Sequence, residues 1–277
     1  MTGKQGTIGI ITNITTGVFQ RHVIQGISEI AAQRGYDVVI EALEESSTES
    51  APVDLAERAV DGVLVIANAA PEDTIRHLYQ TYMPVSLISH EVPDIPVPAV
   101  LSNNRQGVAA LVEHIVIKCE RHQPVFIRGI NQQADATQRE DALHQELMRY
   151  NLRLPEAYLL QGDFAAEVAA QSMQTFLQIG APFDAVIAAD YIMAGAAVEV
   201  LRSAGVQVPQ QVSVVGFGDG PEAEAAGLTI VAADVIELGR RAAYQLIGQI
   251  KGLRIRGATT LSVHMIIRET CGYCQQD

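Results

Sequence analysis

Three polar side chains of this sequence have the types and positions needed to bind a small polar molecule. Arg139 stands in the first turn of a predicted helix, and Asp190 and Asp219 follow the ends of predicted strands. Arginine only donates hydrogen bonds and ionised carboxylates only accept them, so together they could hold a polyol's hydroxyl groups in fixed directions. The alternative for Arg139 is a surface position paired with Glu140 or Asp141. If Arg139 contacts the ligand, Arg139→Ala is expected to weaken binding and leave folding nearly intact.

The strand before Asp219 indicates where these side chains meet. Val212–Phe217 is rich in valine and typical of a strand buried on both faces of a parallel sheet. A Gly-Asp-Gly-Pro turn follows it, beyond the strand's carboxyl end. Ligands of open α/β sheets bind at that edge. Similar apolar runs that end in polar residues lie at Ile8–Ile11, Val85–Ile88 and Ala185–Ala189.

Strand–helix units repeat along the chain, and the series restarts after residues 122–124. A repeated β-α-β order specifies a parallel sheet with helices on both faces. The sequence therefore predicts an α/β fold of two Rossmann-like lobes with parallel sheets. A further helix at 236–250 and an edge strand at 261–267 follow the second series, which indicates multiple crossovers between the lobes.

The composition argues against a disordered, a nucleic-acid-binding and a membrane-spanning protein. The chain has 277 residues, of which 48% are hydrophobic and 18% charged, so it is globular and not disordered. Its formal charge of −13 would repel phosphate backbones, which makes this chain alone a poor nucleic-acid binder. The most apolar region, 183–201, contains acidic residues and does not read as a membrane span. With no apolar leader after Met1, we expect a cytoplasmic protein.

Several segments resemble the effector-binding core of the lac-repressor (LacI/GalR) family, which has the type I periplasmic-binding-protein fold. Val212–Phe217 with Asp219 is similar to the family's VSVVGFDD segment. Residues 104–107 and 112–114 resemble its DNRxG and VEH, and 162–164 are its Gly-Asp-Phe. Further similarities lie at 228–229, at 237–242 and at Arg139, the position of the family's helix-opening arginine.

The resemblance implies an organisation and a function. The lobes would comprise 6–121 with 234–254, and 122–233 with 255–277. They would close on a small molecule, often a sugar or a purine, in a homodimer that reaches DNA only through a headpiece absent from this chain. We therefore expect a sensor of a transcriptional regulator, with no enzymatic activity and no cofactor. The alternatives are a sensing module of a cyclase or kinase, or a solute-binding protein of sugar transport.

The expected ligand-binding residues lie on both lobes, but some depart from the family. Tyr191 stands where the family has an aspartate that binds the ligand. In this chain an aspartate, Asp190, lies one position earlier. Gly218 replaces the first aspartate of the Asp-Asp pair, and Ala233 replaces a frequent glutamine. The identity of the effector therefore stays open. The predicted ligand-binding set is Thr15, Thr16, Phe19, Asn68, His90, Arg139, Phe164, Asp190, Tyr191 and Asp219.

Other patterns carry no predicted chemistry. Gly216–Pro221 has a GxGxG spacing and not the GxGxxG of dinucleotide sites, and it does not follow the first strand. The seven histidines lack metal-binding spacings, so no metal site is predicted. Cys271 and Cys274 form a CxxC at the chain end, away from any strand–helix junction that would lower a thiol pKa, and are interpreted as an inert tail.

Overall fold

The computed structural model describes residues 6–13, 17–42 and 60–272. The chain forms two compact units, Met1–Ser102 with Asp234–Leu261, and Asn103–Ala233 with Ser262–Asp277. It passes from one unit to the other three times, and each unit contains a six-stranded sheet. This confirms the predicted α/β class with parallel sheets and multiple crossovers.

The first unit has a sheet in which every neighbouring pair of strands is parallel. Its strands are β1 (Gly6–Thr12), β2 (Tyr36–Ala42), β3 (Gly62–Ile66), β4 (Val85–Ile88), β5 (Ala99–Ser102) and β11 (Ala258–Leu261). They are ordered β11-β5-β4-β3-β1-β2. Its described helices are α1 (Val18–Arg34), α2 (Glu72–Gln80) and α8 (Val235–Ile250). The β3 strand is buried along its whole length, as expected of a central strand covered on both faces.

Helices α1 and α8 pack closely because each has a glycine at their contact. A Cβ atom on Gly26 would lie 2.0 Å from the carbonyl oxygen of Ile236, and one on Gly239 would lie 2.1 Å from that of Val23. These backbones could not approach so closely with any larger residue. The close packing fixes α8 within the first unit, although it follows five of the second unit's six strands in sequence.

The second unit carries most of the predicted site. Its strands are β6 (Pro124–Arg128), β7 (Leu159–Gln161), β8 (Ala185–Ala188), β9 (Ser213–Phe217), β10 (Thr229–Ala232) and β12 (His264–Ile266). They are ordered β12-β10-β9-β8-β6-β7, and only β12 runs antiparallel to its neighbour. Its helices are α3 (Asn104–Glu113), α4 (Ala134–Arg149), α5 (Ala166–Ile179), α6 (Tyr191–Ser203) and α7 (Pro221–Ala225). A π-turn (His114–Lys118) continues α3, and 3-10 turns span Glu156–Tyr158 and Glu269–Cys271.

The observed units divide at different places from the lobes inferred by resemblance. Helix α3, expected in the first lobe, packs against α4 and β10 of the second unit. A Cβ on Gly107 would lie 2.4 Å from the Phe217 ring, so this helix lies directly on the second sheet. The edge strand expected at 261–267 is confirmed only as the shorter β12, because Leu261 ends β11 of the first sheet and the chain changes units after it.

Across residues 6–13, 17–42 and 60–272, no helix is both long and apolar enough to cross a membrane.

Candidate functional site

The candidate site lies at the carboxyl edge of the second unit's sheet. The parallel strands β6, β8 and β9 are neighbours, and their carboxyl ends lead into Gly129, Ala189 and Gly218. Loops that follow parallel strands converge at one edge of the sheet. Asp190, Tyr191 and Asp219 are therefore held at this edge, as predicted from the strand pattern.

Arg139 is a buried residue that links several elements of the second unit. It is 9% exposed. Its Nε donates to Asn104 Oδ1 at 2.9 Å, and its Nη1 donates to the carbonyl oxygen of Ala189 at 2.8 Å. Its Nη2 lies 3.5 Å from Asp135 Oδ2, and the guanidinium carbon lies 3.9 Å from the centre of the Phe217 ring. Neither the predicted ligand contact nor a surface pair with Glu140 or Asp141 describes these interactions.

The partners of Arg139 are themselves well bonded. The buried Asn104 amide donates to Asp135 Oδ1 at 2.8 Å and to Gln138 Oε1 at 2.9 Å. Glu140, the expected surface partner, pairs with Arg128 instead. Burial lowers the pKa of the Arg139 guanidinium, and the carboxylates of Asp135 and Asp190 oppose that effect. The network therefore joins α3, α4 and the end of β8 through one cation.

Asp190 is the N-cap of α6, and its carboxylate interacts with the positive charge of Arg139. Its Oδ1 accepts a hydrogen bond from the backbone N–H of Met193 at 2.8 Å. Burial raises the pKa of its carboxyl to about 6, although the Met193 hydrogen bond and the charge of Arg139 act in the opposite direction. A desolvated carboxylate with such a raised pKa is typical of a functional site.

Tyr191 explains the glycine spacing that follows β9. Its ring is buried, and a Cβ on Gly220 would lie 2.6 Å from the Tyr191 hydroxyl oxygen. A Cβ on Gly218 would lie 3.2 Å from the ring, whereas one on Gly216, within β9, would first meet Ala194 Cβ at 2.9 Å and the Asp190 carbonyl oxygen at 3.0 Å. Gly218 and Gly220 thus leave room for a tyrosine at the position where related proteins are expected to carry a ligand-binding aspartate.

Phe164 lies flat against the carboxyl end of β6. A Cβ on Gly129 would lie 2.3 Å from the nearest atom of the Phe164 ring. Phe164 and the preceding Asp163 both have left-handed backbone conformations, with φ of 55° and 52°. Such conformations are unfavourable for non-glycine residues and are concentrated at functional sites. The partly buried ring is therefore a candidate platform for a flat ligand group.

Asp219 has a partner that the sequence did not predict. Arg268 Nη2 lies 3.1 Å and 3.3 Å from its two carboxylate oxygens, and the backbone N–H of Gly220 donates to Oδ1 at 3.0 Å. Arg268 also donates from Nη1 to the carbonyl oxygen of Leu228 at 2.9 Å. In the structure, Asp219 fixes the segment after β12 to the sheet.

The family is decided by residues 118–271, which match the family described as the periplasmic binding protein-like domain and make up more than half of the chain. The chain belongs to this family. Over 268 residues it is 25% identical to the HTH-type transcriptional repressor CytR of Escherichia coli (strain K12), covering 95% of this chain and 78% of CytR. It is 27% identical to the transcriptional regulator CelR of Thermobifida fusca over 264 residues, covering 91% and 76% of the two chains.

Solved structures agree with this assignment. A CelR–cellobiose complex superposes with a TM-score of 0.85 at 25% identity, covering 97% of this chain and 85% of the other. A lac repressor dimer bound to operator and the anti-inducer ONPF gives a TM-score of 0.88 at 25% identity, with coverages of 97% and 95%. These relatives confirm the predicted resemblance to the LacI/GalR effector-binding core.

The first unit carries the remaining predicted residues. His90 is buried after β4, with Nδ1 hydrogen-bonded to the Ile88 carbonyl oxygen at 3.2 Å. Asn68 is exposed in the turn after β3, and Phe19 packs partly buried against the core in the first turn of α1. Thr15 and Thr16 lie outside the described residues.

Sequence reasoning did not single out three residues that shape the site. Phe217 packs on Arg139, Asn104 bonds to it, and Arg268 pairs with Asp219. The available signals were the Asn-Arg-Gln-Gly and Gly-Phe segments, which served only to support the resemblance. Their partners come from distant parts of the chain, so the contacts themselves left no local pattern.

Proposed function

We propose that this chain is the effector-binding sensor domain of a LacI-family transcriptional regulator. The observation that carries the proposal is the match to transcriptional repressors along 95% of the chain. The relatives CytR and CelR are regulators of transcription, not enzymes. The site geometry agrees with this function, because it offers a carboxylate and an aromatic ring at a sheet edge, and none of the side chains described at that edge is an activated nucleophile.

We propose a sugar-like or nucleoside-like effector. Asp190 follows β8, and the Phe164 ring packs against Gly129 at the end of the neighbouring strand β6. A sugar ring or a base has an apolar face for the Phe164 ring and hydroxyl or N–H donors for the Asp190 carboxylate. The solved CelR complex contains cellobiose, which supports the sugar class. Arg139 would act through Asp190 in this arrangement, by holding its charge, and not by contacting the ligand.

Signalling would follow from a change in the population of two arrangements of the units. A ligand that binds a closed arrangement better than an open one shifts the equilibrium by its difference in affinity. Thr15, Thr16, Phe19, Asn68 and His90 stay proposed as the first unit's contribution. The output would reach operator DNA through a headpiece; the similar lac repressor dimer has been solved bound to its operator.

We also propose that the chain forms a homodimer. The lac repressor structure that it resembles is a dimer. Sedimentation velocity at micromolar concentration tests this directly, and a monomer there would contradict it.

A thermal-shift screen of sugars, sugar acids, nucleosides and purines is expected to find a stabilising ligand in the sugar or nucleoside group. A ligand at 100 times its Kd adds about 2.7 kcal/mol to the free energy of unfolding. With that ligand, Phe164→Ala is expected to weaken binding by about 1–3 kcal/mol, because the stacking surface is lost. Isothermal titration calorimetry measures the change in Kd.

Phe183→Ala is the matched control. Phe183 is also a partly buried ring of the second unit, but it packs edge-on against Phe176 at 5.4 Å between ring centres. Its removal should reduce stability and leave the Kd unchanged. Equal ligand affinity in Phe164→Ala and the parent would remove Phe164 from the site. A screen in which no member of any group raises the Tm would contradict the proposed ligand class.

A further inference from the structure

Three potential metal ligands from distant parts of the sequence come together in the second unit. The ligand atoms of His114, Cys119 and Cys271 all lie within 4.8 Å of one another. His114 and Cys271 are buried, whereas Cys119 is partly exposed. This cluster is separate from the network around Arg139 and Asp190, and the proposed sensing function does not use it.

The π-turn after α3 brings His114 and Cys119 together. The backbone N–H of Cys119 donates to the carbonyl oxygen of His114 at 3.0 Å, which is the i to i+5 hydrogen bond of a π-turn. An ordinary α-helix would place residues five apart on different faces, since its turn holds 3.6 residues.

Cys271 is held against the cluster by a bonded segment. Ser213 Oγ donates to the carbonyl oxygen of Cys271 at 2.9 Å, and Arg121 Nε donates to the same Ser213 Oγ at 3.1 Å. The adjacent Thr270 hydroxyl donates to the carbonyl oxygen of Val214 at 2.7 Å and accepts from the backbone N–H of Thr229 at 3.0 Å. The 3-10 turn is therefore fixed to β9 and β10, and its cysteine cannot move far from the π-turn.

We propose that His114, Cys119 and Cys271 form a binding site for one zinc ion. Two thiolates and one imidazole are a nitrogen–sulfur donor set that suits zinc and does not suit magnesium or calcium. With Zn–S near ~2.3 Å and Zn–N near ~2.0 Å, tetrahedral ligands lie roughly 3.5–3.8 Å apart, so ligand atoms that now lie within 4.8 Å of one another need to approach by at most about 1.3 Å. The exposed side of Cys119 leaves a fourth position for water.

Zinc binding at this site needs no oxidation or reduction. Each thiol loses its proton to solvent as its sulfur binds the ion, and the two thiolate charges neutralise the divalent cation. A neutral site is compatible with the apolar surroundings of Cys271 and Cys119. A disulfide between the two cysteines would leave the imidazole without a part in the cluster, whereas a zinc ion uses all three groups.

The site would clamp the segment that follows β12 to the end of α3. Cys271 lies on that segment, while His114 and Cys119 lie on the π-turn. A bound ion therefore joins two elements that are far apart in sequence, which would stabilise the second unit. The sequence interpretation of Cys271 as part of an inert tail missed this possibility because the other ligands lie in a separate motif.

Zinc binding is tested best in a Cys274→Ser background, where Cys119 and Cys271 are the remaining thiols of a chain that has three cysteines. Reduced, metal-free protein is titrated with zinc against a chromophoric chelator, and with cobalt as a spectroscopic probe. We expect one equivalent of metal, a Kd of about 1 μM or below, a cobalt spectrum with thiolate charge-transfer absorption, and a higher Tm with zinc.

Variants in the same background separate the ligands from the fold. Cys119→Ser is the mildest change because Cys119 is partly exposed, and it should weaken zinc binding by about 100-fold while the metal-free Tm stays close to the parent's. His114→Gln should also lose affinity, and His264→Gln, which changes an exposed histidine of the same unit, should not. Undiminished binding by Cys119→Ser, a cobalt spectrum without thiolate absorption, or no binding by the parent would overturn the site.

Discussion

Arg139→Met is expected to lower the free energy of unfolding by about 3–5 kcal/mol, because it removes one partner of a buried ionic network. Methionine keeps much of the apolar stem that lies against Phe217, but it leaves Asn104 Oδ1 and the Ala189 carbonyl oxygen without their donor. The Asp135 and Asp190 carboxylates also lose the nearby cation. Urea denaturation followed by circular dichroism measures the change.

Arg149→Met is the matched control for this variant. Arg149 lies at the other end of α4, its side chain is 72% exposed, and it pairs with Glu146 at 2.8 Å. An exposed pair of this kind contributes about 0–1 kcal/mol. If Arg139→Met also lowers the free energy of unfolding by no more than about 1 kcal/mol, the buried network is not what holds α4 to the sheet.

The expected loss of stability differs from what the sequence implied for the same residue. An arginine at the opening of a helix, after a predicted strand, predicts a ligand contact whose removal spares folding. In the structure, Nε and Nη1 donate to protein acceptors from α3 and the end of β8, and Nη2 lies 3.5 Å from Asp135 Oδ2. Helix position was therefore predictable, whereas burial was not, because burial depends on contacts between segments distant in sequence.

In the fold as a whole, features that depend on local sequence patterns were predictable, and features that depend on contacts between distant segments were not. Continuous apolar runs such as β3 and β9 predicted buried parallel strands, and both are buried throughout. Their alternation with helices predicted the α/β class. The unit to which α3 belongs was not predictable, because its assignment depends on Gly107 packing against Phe217 and not on its order in the chain.

The candidate site was predicted in position but not in every partner. The strand ends placed Asp190, Tyr191 and Asp219 at one edge of the sheet, where the structure has them. The ion pair between Asp219 and Arg268 depends on the antiparallel β12, which a single apolar–polar alternation at 261–267 did not define. The packing of Tyr191 against Gly220 likewise requires knowledge of how two loops face each other.

Asp190→Asn is expected to stabilise the protein above pH 6 and to have little effect near pH 4. The pKa of Asp190 is raised from 3.8 to about 6 in the folded protein, chiefly by burial. Between these values the folded state binds more protons than the unfolded state, so the free energy of unfolding falls as the pH rises through this window. The cost is complete above the folded pKa and amounts to about 3 kcal/mol at most.

Asparagine isolates this charge effect because it resembles the neutral acid and caps helices as well as aspartate does. The Met193 N–H keeps an acceptor, while the desolvated charge is gone. The measurement is the difference in unfolding free energy between variant and parent from pH 4 to pH 8, which cancels groups common to both. Asp234→Asn makes the same change at the exposed N-cap of α8 and serves as the control. If the difference in unfolding free energy between Asp190→Asn and the parent stays constant from pH 4 to pH 8, burial does not penalise this carboxylate. Asp190 would then not be the desolvated acceptor of the site.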